Sequence, residues 1–137
     1  MSAVLVITGG VIFGLLGVLH ALYTFLDLRK PRRLVPDNPE VIRAMAASRV
    51  RLSRGGTDMW HAWVGFNFSH SLGVLLFSGL AIVSGLYAAP SRASLLVLAI
   101  IGAIYMALAM RYWFRIPVLG AALGTACLTA SWILASH

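Results

Sequence analysis

Hydrophobic residues fall into four long runs that are separated by polar or charged segments. The runs cover residues 3–26, 59–89, 93–112 and 116–136, and the first contains no charged residue. About 20 apolar residues in a helix cross the hydrocarbon layer of a bilayer. Backbone polar groups must be paired within the segment in lipid, so each run is expected to be a helix. The pattern predicts an all-α fold, a four-helix up-and-down membrane bundle that forms one domain over residues 1–137.

A short amphipathic helix is predicted in the long first loop. Asp37 or Asn38 can cap a helix that begins near Pro39. Its apolar side chains share one side: Val41, Ile42, Met45 and Ala46. We interpret it as an interfacial helix that rests on anionic lipid headgroups. A lid over a cytoplasmic opening is the alternative.

Composition and charge agree with a membrane protein. The chain has 60% hydrophobic and 11% charged residues, whereas soluble domains have about 25% charged residues. The net charge is +7, but eight of the eleven basic residues lie in residues 27–58. This single basic loop disfavours nucleic acid as a partner. The positive-inside rule places the loop in the cytoplasm and both termini outside, as expected for a multi-pass protein of the bacterial inner (plasma) membrane.

Small residues recur three or four positions apart in every span. The stripes are Gly10, Gly14, Gly17 and Ala21; Gly65, Ser69 and Gly73; Ala99, Ala103 and Ala107; and Gly120 and Gly124. Such stripes let helix backbones approach closely, which is a main source of packing energy in lipid. A further stripe at Ala122, Ala126 and Ala130 could pack within the bundle or form a homodimer.

Polar side chains interrupt the spans on two predicted faces. His20, Thr24 and Asp27 fall within about 40° of each other on the first helix. Trp63, Asn67 and His70 share a face of the second. Several of these groups lie about 10–13 Å from the cytoplasmic helix ends, with His70 about 8 Å deeper than His20. The spacing predicts a polar pocket in the cytoplasmic half of the bundle.

Histidine is the group whose ordinary pKa best suits proton transfer near neutral pH, so His20 and His70 are the candidate catalytic residues. The candidate ligand-binding residues are Asn67, Ser69, Tyr105, Thr24 and Trp63. Neither a metal-binding motif nor a cysteine cluster is present, so no metal site or cofactor is expected. A haem held by the two histidines is an alternative, which their depth difference disfavours.

Three functions are compatible with this pattern. The leading hypothesis is a protein that binds a lipophilic small molecule in the polar pocket, with chemical modification of that molecule left open. The alternatives are a non-catalytic accessory or scaffold subunit of a membrane complex and a haem-binding electron-transfer subunit. The polar groups could also serve only to fix the helices by hydrogen bonds.

The start of the second span resembles a known signature. Residues 60–73 read W-H-A-W-V-G-F-N-F-S-H-S-L-G. This run is similar to the W-x-x-W-x-G-F-N-x-S-H-S-x-G signature of an uncharacterised family of small bacterial four-helix integral membrane proteins. The resemblance extends over nearly the whole chain. It implies the fold and a membrane location, and it nominates Asn67, Ser69 and His70 without assigning them a role.

Overall fold

The computed structural model describes residues 2–52, 56–87 and 90–135. Within these ranges the chain is all-α, and its five helices are α1 (Ser2–Arg29), α2 (Pro39–Ala47), α3 (Met59–Tyr87), α4 (Arg92–Tyr112) and α5 (Arg115–Leu134). All but α2 are long and apolar enough to cross a membrane. The predicted fold class is therefore confirmed. The predicted ends of the second and fourth spans, at 88–89 and 136, lie outside the described residues.

Side-chain caps explain where α2 and α4 begin. Asn38, rather than Asp37, caps α2, because its side-chain oxygen accepts a hydrogen bond from the Glu40 amide at 2.8 Å. Ser91 caps α4 in the same way, accepting from the Ser94 amide at 3.1 Å. The short helix predicted in the first loop is thus present where the sequence placed it.

The chain divides into two compact units. Residues 1–17 and 74–137 form the first, called here the terminal unit, and Val18–Gly73 form the second, called the central unit. The prediction of a single domain stays a prediction. Helices α1 and α3 each contribute one segment to both units.

Helices of the terminal unit run antiparallel to their neighbours. Along α1, Gly10 faces Ile82 of α3, whereas Gly17, two turns later, faces Leu75. The hydroxyl of Ser131, near the end of α5, donates to the carbonyl of Ser2 at 2.9 Å. These pairs place both α3 and α5 antiparallel to α1, as expected for an up-and-down bundle.

The described glycines of the terminal unit, with the exception of Gly79, lie at close helix contacts. A Cβ added at Gly14 would lie 2.6 Å from the Ser78 hydroxyl, and one at Gly124 would lie 2.7 Å from the Phe13 ring. Phe13 also packs edge-on against Phe77, with ring centroids 5.0 Å apart. These contacts confirm the predicted packing role of the glycines on α1 and α5.

Two other predicted stripes are wrong in part. On α4, Ala103 and Ala107 are exposed, and the small buried residues are Ala99, Gly102 and Ala109. Four residues span 400° of helix rotation, so a strict spacing of four drifts off the packed face by about 40° per step. On α3, nothing lies within 4 Å of a Cβ built at Gly65.

In the central unit, the loop between α1 and α3 is fixed near both ends. The carboxylate of Asp27 accepts backbone hydrogen bonds from the loop that follows α1. At the other end, the Val50 amide donates to the Thr57 carbonyl at 2.9 Å, and the Met59 amide donates to Ser48 at 2.8 Å. Helix α2 lies between these two anchors, and none of its residues is buried.

Candidate functional site

The second half of α1 and the first half of α3 are joined by a side-chain hydrogen bond within the central unit. His20 Nε2 lies 2.9 Å from Asn67 Oδ1, and the Asn67 side chain is 2% exposed. No proline interrupts residues 59–87, so α3 continues through this point. The contact confirms that the polar faces predicted on the two helices meet.

The position of the Asn67 amide determines which nitrogen of the His20 ring carries a proton. Asn67 Nδ2 donates to the Trp63 carbonyl at 2.8 Å, which directs Oδ1 toward the histidine. An amide oxygen can only accept, so His20 Nε2 must carry the proton. In the neutral ring, Nδ1 is then the hydrogen-bond acceptor. His20 is therefore held in one tautomer by a side chain of the facing helix.

His70 completes a cluster with these two residues. Its ring contacts that of His20 in an edge-to-face arrangement, with centroids 5.1 Å apart. The Phe66 ring stacks on the other side, at 6.4 Å. Phe66 is 64% exposed and both histidines are half-buried. The histidine cluster (His20, Asn67 and His70) thus opens onto an exposed aromatic surface.

The predicted depth difference of about 8 Å does not keep the histidines apart, and that expectation was wrong. Depths counted from Asp27 and Asp58 assume that both helix ends lie at one level, and they ignore the reach of the side chains. The contact also bears on the haem alternative. A haem iron bound by both histidines would require the porphyrin to lie between rings that touch each other. In this arrangement His20 and His70 do not fit such a haem.

A small cavity with a mainly apolar lining lies on the loop side of the cluster. Its lining residues are Thr24, Asp27, Leu34, Val35, Trp60, Trp63, Val64 and Asn67. The space open to the centre of a water-sized sphere is about 10 Å³, which is close to that needed by one water molecule. Trp63 closes one side by donating from its indole nitrogen to the Leu34 carbonyl at 3.2 Å.

Asp27 also lies in this region, although it was not among the predicted catalytic or ligand-binding residues. It is 3% exposed, and the amide of Leu34 donates to it at 2.8 Å, that of Arg32 at 3.0 Å and that of Arg33 at 3.1 Å. Backbone amides therefore solvate this buried charge. The available signal was a lone acid at the end of an uncharged helix, on the same stripe as His20 and Thr24.

The remaining candidates lie elsewhere or bond locally. The Thr24 hydroxyl donates to the His20 carbonyl at 2.9 Å. Ser69, about 200° around α3 from Asn67, is exposed and donates to the Phe66 carbonyl. Tyr105 belongs to the terminal unit, where it packs against the aromatic rings of Phe13 and Phe77.

Hydroxyl groups outside the candidate list carry further helix contacts. Ser78 Oγ donates across the terminal unit to the Gly10 carbonyl at 2.8 Å, and Ser71 Oγ donates to the Asn67 carbonyl. Serine is common in membrane helices, and no spacing or neighbouring residue in the sequence points to Ser78. Among the residues that the structure describes, no group of three or more His, Cys, Asp or Glu could hold a metal ion.

No protein-family model matches this chain, and comparison with curated proteins and with solved structures finds no significant similarity. The resemblance carried by residues 60–73 therefore stays a prediction. The geometry of the central unit alone supports the functional proposal.

Proposed function

We propose that the protein binds a lipophilic small molecule with a hydrogen-bonding end at the histidine cluster. The observation that carries this proposal is the 2.9 Å contact between His20 and Asn67, with the His70 ring against it. His20 is nine residues from Arg29, or about 13 Å along the helix. Polar side chains at this depth are costly in lipid and mark functional sites more often than solvent-exposed ones do.

The ligand is proposed to dock on the exposed side of the cluster. The cavity near Asn67 accommodates about one water molecule, so it is too small for a lipophilic molecule. Phe66, which is exposed beside His70, offers apolar surface for the hydrophobic part. A polar end placed beside the imidazoles would then complete the contact.

The cluster also has the chemistry for proton transfer. His20 is oriented by Asn67, and a histidine positioned by a second group is the usual form of a general acid or base. Modification of the bound molecule would then use His20 or His70, with Asn67 as the positioning residue.

Native mass spectrometry of the purified chain, released from lipid nanodiscs, tests the proposal. We expect a co-purifying lipophilic molecule that is lost from His20→Ala, Asn67→Ala and His70→Ala. The matched control is His61→Ala, because His61 is exposed and pairs with Asp58 rather than with the cluster. Retention of the molecule in all three cluster variants, with normal thermal unfolding, would contradict ligand binding at this site.

An accessory or scaffold subunit is the second candidate, favoured by the open surface at Gly65. This residue is exposed, with nothing within 4 Å of an added Cβ, so a partner helix could approach there. Gly65→Leu should dissociate a partner complex that His70→Ala leaves intact if the scaffold function is correct. The opposite result, a lost ligand in His70→Ala and an unchanged Gly65→Leu, supports the ligand-binding function.

We further propose that the chain resides in the bacterial inner membrane with residues 27–58 in the cytoplasm and both termini outside. The support is the basic character of this loop and of the segment with Arg111 and Arg115. Activity of an alkaline phosphatase fused to the C-terminus, and its inactivity when inserted near residue 40, would test this orientation.

A further inference from the structure

Four basic residues follow one another closely at the end of α1. Arg29, Lys30, Arg32 and Arg33 are all exposed. Asp27 is the single acid nearby, and Arg33 approaches it at only 3.8 Å. Four positive charges and one negative charge leave residues 27–34 with a net charge of +3.

Asp27 orders this segment without neutralising it. Its two carboxylate oxygens are occupied by the backbone amides of Arg32, Arg33 and Leu34, at 2.8–3.3 Å. The loop therefore folds around the Asp27 carboxylate, and the basic side chains remain exposed on the outer surface of the loop. An ordered loop with outward cations is suited to binding an anion, because little conformational entropy is lost on binding.

Aromatic residues set the position of this loop relative to a bilayer. The Arg29 guanidinium lies 5.6 Å above the Phe25 ring, and that of Arg33 lies 5.6 Å above Tyr23. Tyr23 is 38% exposed and Phe25 is 49% exposed, both on the last turns of a membrane-length helix. Tyrosine side chains prefer the headgroup level, so Arg33, which lies above Tyr23, reaches the depth of lipid phosphates.

We propose that residues 29–33 form a binding site for the phosphate of an anionic phospholipid, held in shape by Asp27. The net positive charge favours anionic over zwitterionic lipids. The arginines supply several N–H donors to phosphate oxygens. This site is separate from the histidine cluster, and the inference does not depend on the function proposed there.

The test is exchange of the full-length chain between nanodiscs of phosphatidylcholine alone and nanodiscs that also contain phosphatidylglycerol, with bound lipid measured by native mass spectrometry. Wild type should retain phosphatidylglycerol preferentially. The double variant Lys30→Gln/Arg32→Gln should weaken that preference roughly 25-fold, at about fivefold for each basic residue removed. Arg43→Gln is the control for a single charge, because Arg43 is 76% exposed and already pairs with Glu40; its effect should be under about twofold.

The Asp27→Asn variant distinguishes binding at an ordered site from general electrostatic attraction to the basic loop. This change raises the net charge by one, so attraction by charge alone predicts tighter phosphatidylglycerol binding. An amide accepts the loop hydrogen bonds less well than a carboxylate, so an ordered site predicts weaker binding. Tighter binding in Asp27→Asn, or an Arg43→Gln effect as large as that of the double variant, would overturn the proposal. If Asp27→Asn does not fold, the comparison of the double variant with Arg43→Gln still decides.

Discussion

The terminal and central units hold segments of the same two helices, α1 and α3, by different means. In the terminal unit, glycines bring the helices together, as at Gly14 and Ser78. In the central unit, the contact between these helices is made by polar side chains, above all His20 and Asn67. The terminal unit adds one buried hydrogen bond between α1 and α3, from the Ser78 hydroxyl to the Gly10 carbonyl. The central unit instead brings an amide and two imidazole rings together, and these groups have a chemistry that a packing contact does not need.

Filling a tight glycine position should have the largest effect. In Gly124→Ala, the new Cβ would meet the buried Phe13 ring at 2.7 Å, and we expect a loss of about 2 kcal/mol in unfolding free energy. Gly79→Ala is the control, because nothing lies within 4 Å of its Cβ. Removing a helical glycine there should instead stabilise the protein by up to about 1 kcal/mol. Reversible unfolding in mixed micelles measures the change in unfolding free energy for both variants. Equal changes would contradict the distinction between packed and open glycine positions.

Removal of the central hydrogen bond should have a smaller effect on stability. Asn67→Leu keeps a similar volume but removes the acceptor for His20 and the donor to the Trp63 carbonyl. Hydrogen bonds between membrane helices contribute about 0.6 kcal/mol on average, so we expect a loss of about 1 kcal/mol in the same unfolding assay. A loss larger than that of Gly124→Ala would show that polar contacts dominate packing, contrary to the difference between the units.

The smallest expected effect is a pH-dependent change in the stability of the first turn of α3. The His61 amide and ring both bond to the Asp58 carboxylate, at 2.8 Å each, and this lowers the pKa of Asp58 below its usual value. A carboxyl group whose pKa is lower in the folded state stabilises that state above its unfolded pKa, near about 4. The contribution disappears as the pH falls through the lower, folded pKa.

Hydrogen exchange of residues 59–62 should therefore become faster below about pH 4, after correction for the intrinsic exchange rate. Asp58→Asn should remove this pH dependence while leaving exchange in the rest of α3 unchanged. If protection of this turn in the wild type does not change with pH, the stabilising role of the Asp58 carboxylate is contradicted.

The sequence predicted the helices better than their contacts. Long apolar runs require internal backbone pairing in lipid, and this constraint located α1, α3, α4 and α5 to within a few residues. Helical periodicity also placed His20 and Asn67 on polar faces. It does not state which faces meet, so Tyr105 was grouped with a cluster whose other members lie in the central unit.

The role of Asp27 could not be read from the sequence for a different reason. Its partners are backbone amides of the following loop, and backbone donors carry no residue-specific signal. The exposed Ala103 and Ala107 illustrate a related limit, because spacings of three and four both fit a helix face and only packing selects between them.

The small size of the cavity beside Asn67 has a consequence for how binding would be measured. Space for about one water molecule leaves no room in this cavity for a ligand that arrives through water. A lipophilic ligand of the kind proposed would reach His70 by lateral diffusion, and its occupancy would follow its mole fraction in the membrane. When titrations are repeated with more lipid, the apparent dissociation constant, expressed as total ligand concentration, should rise in direct proportion to the amount of lipid.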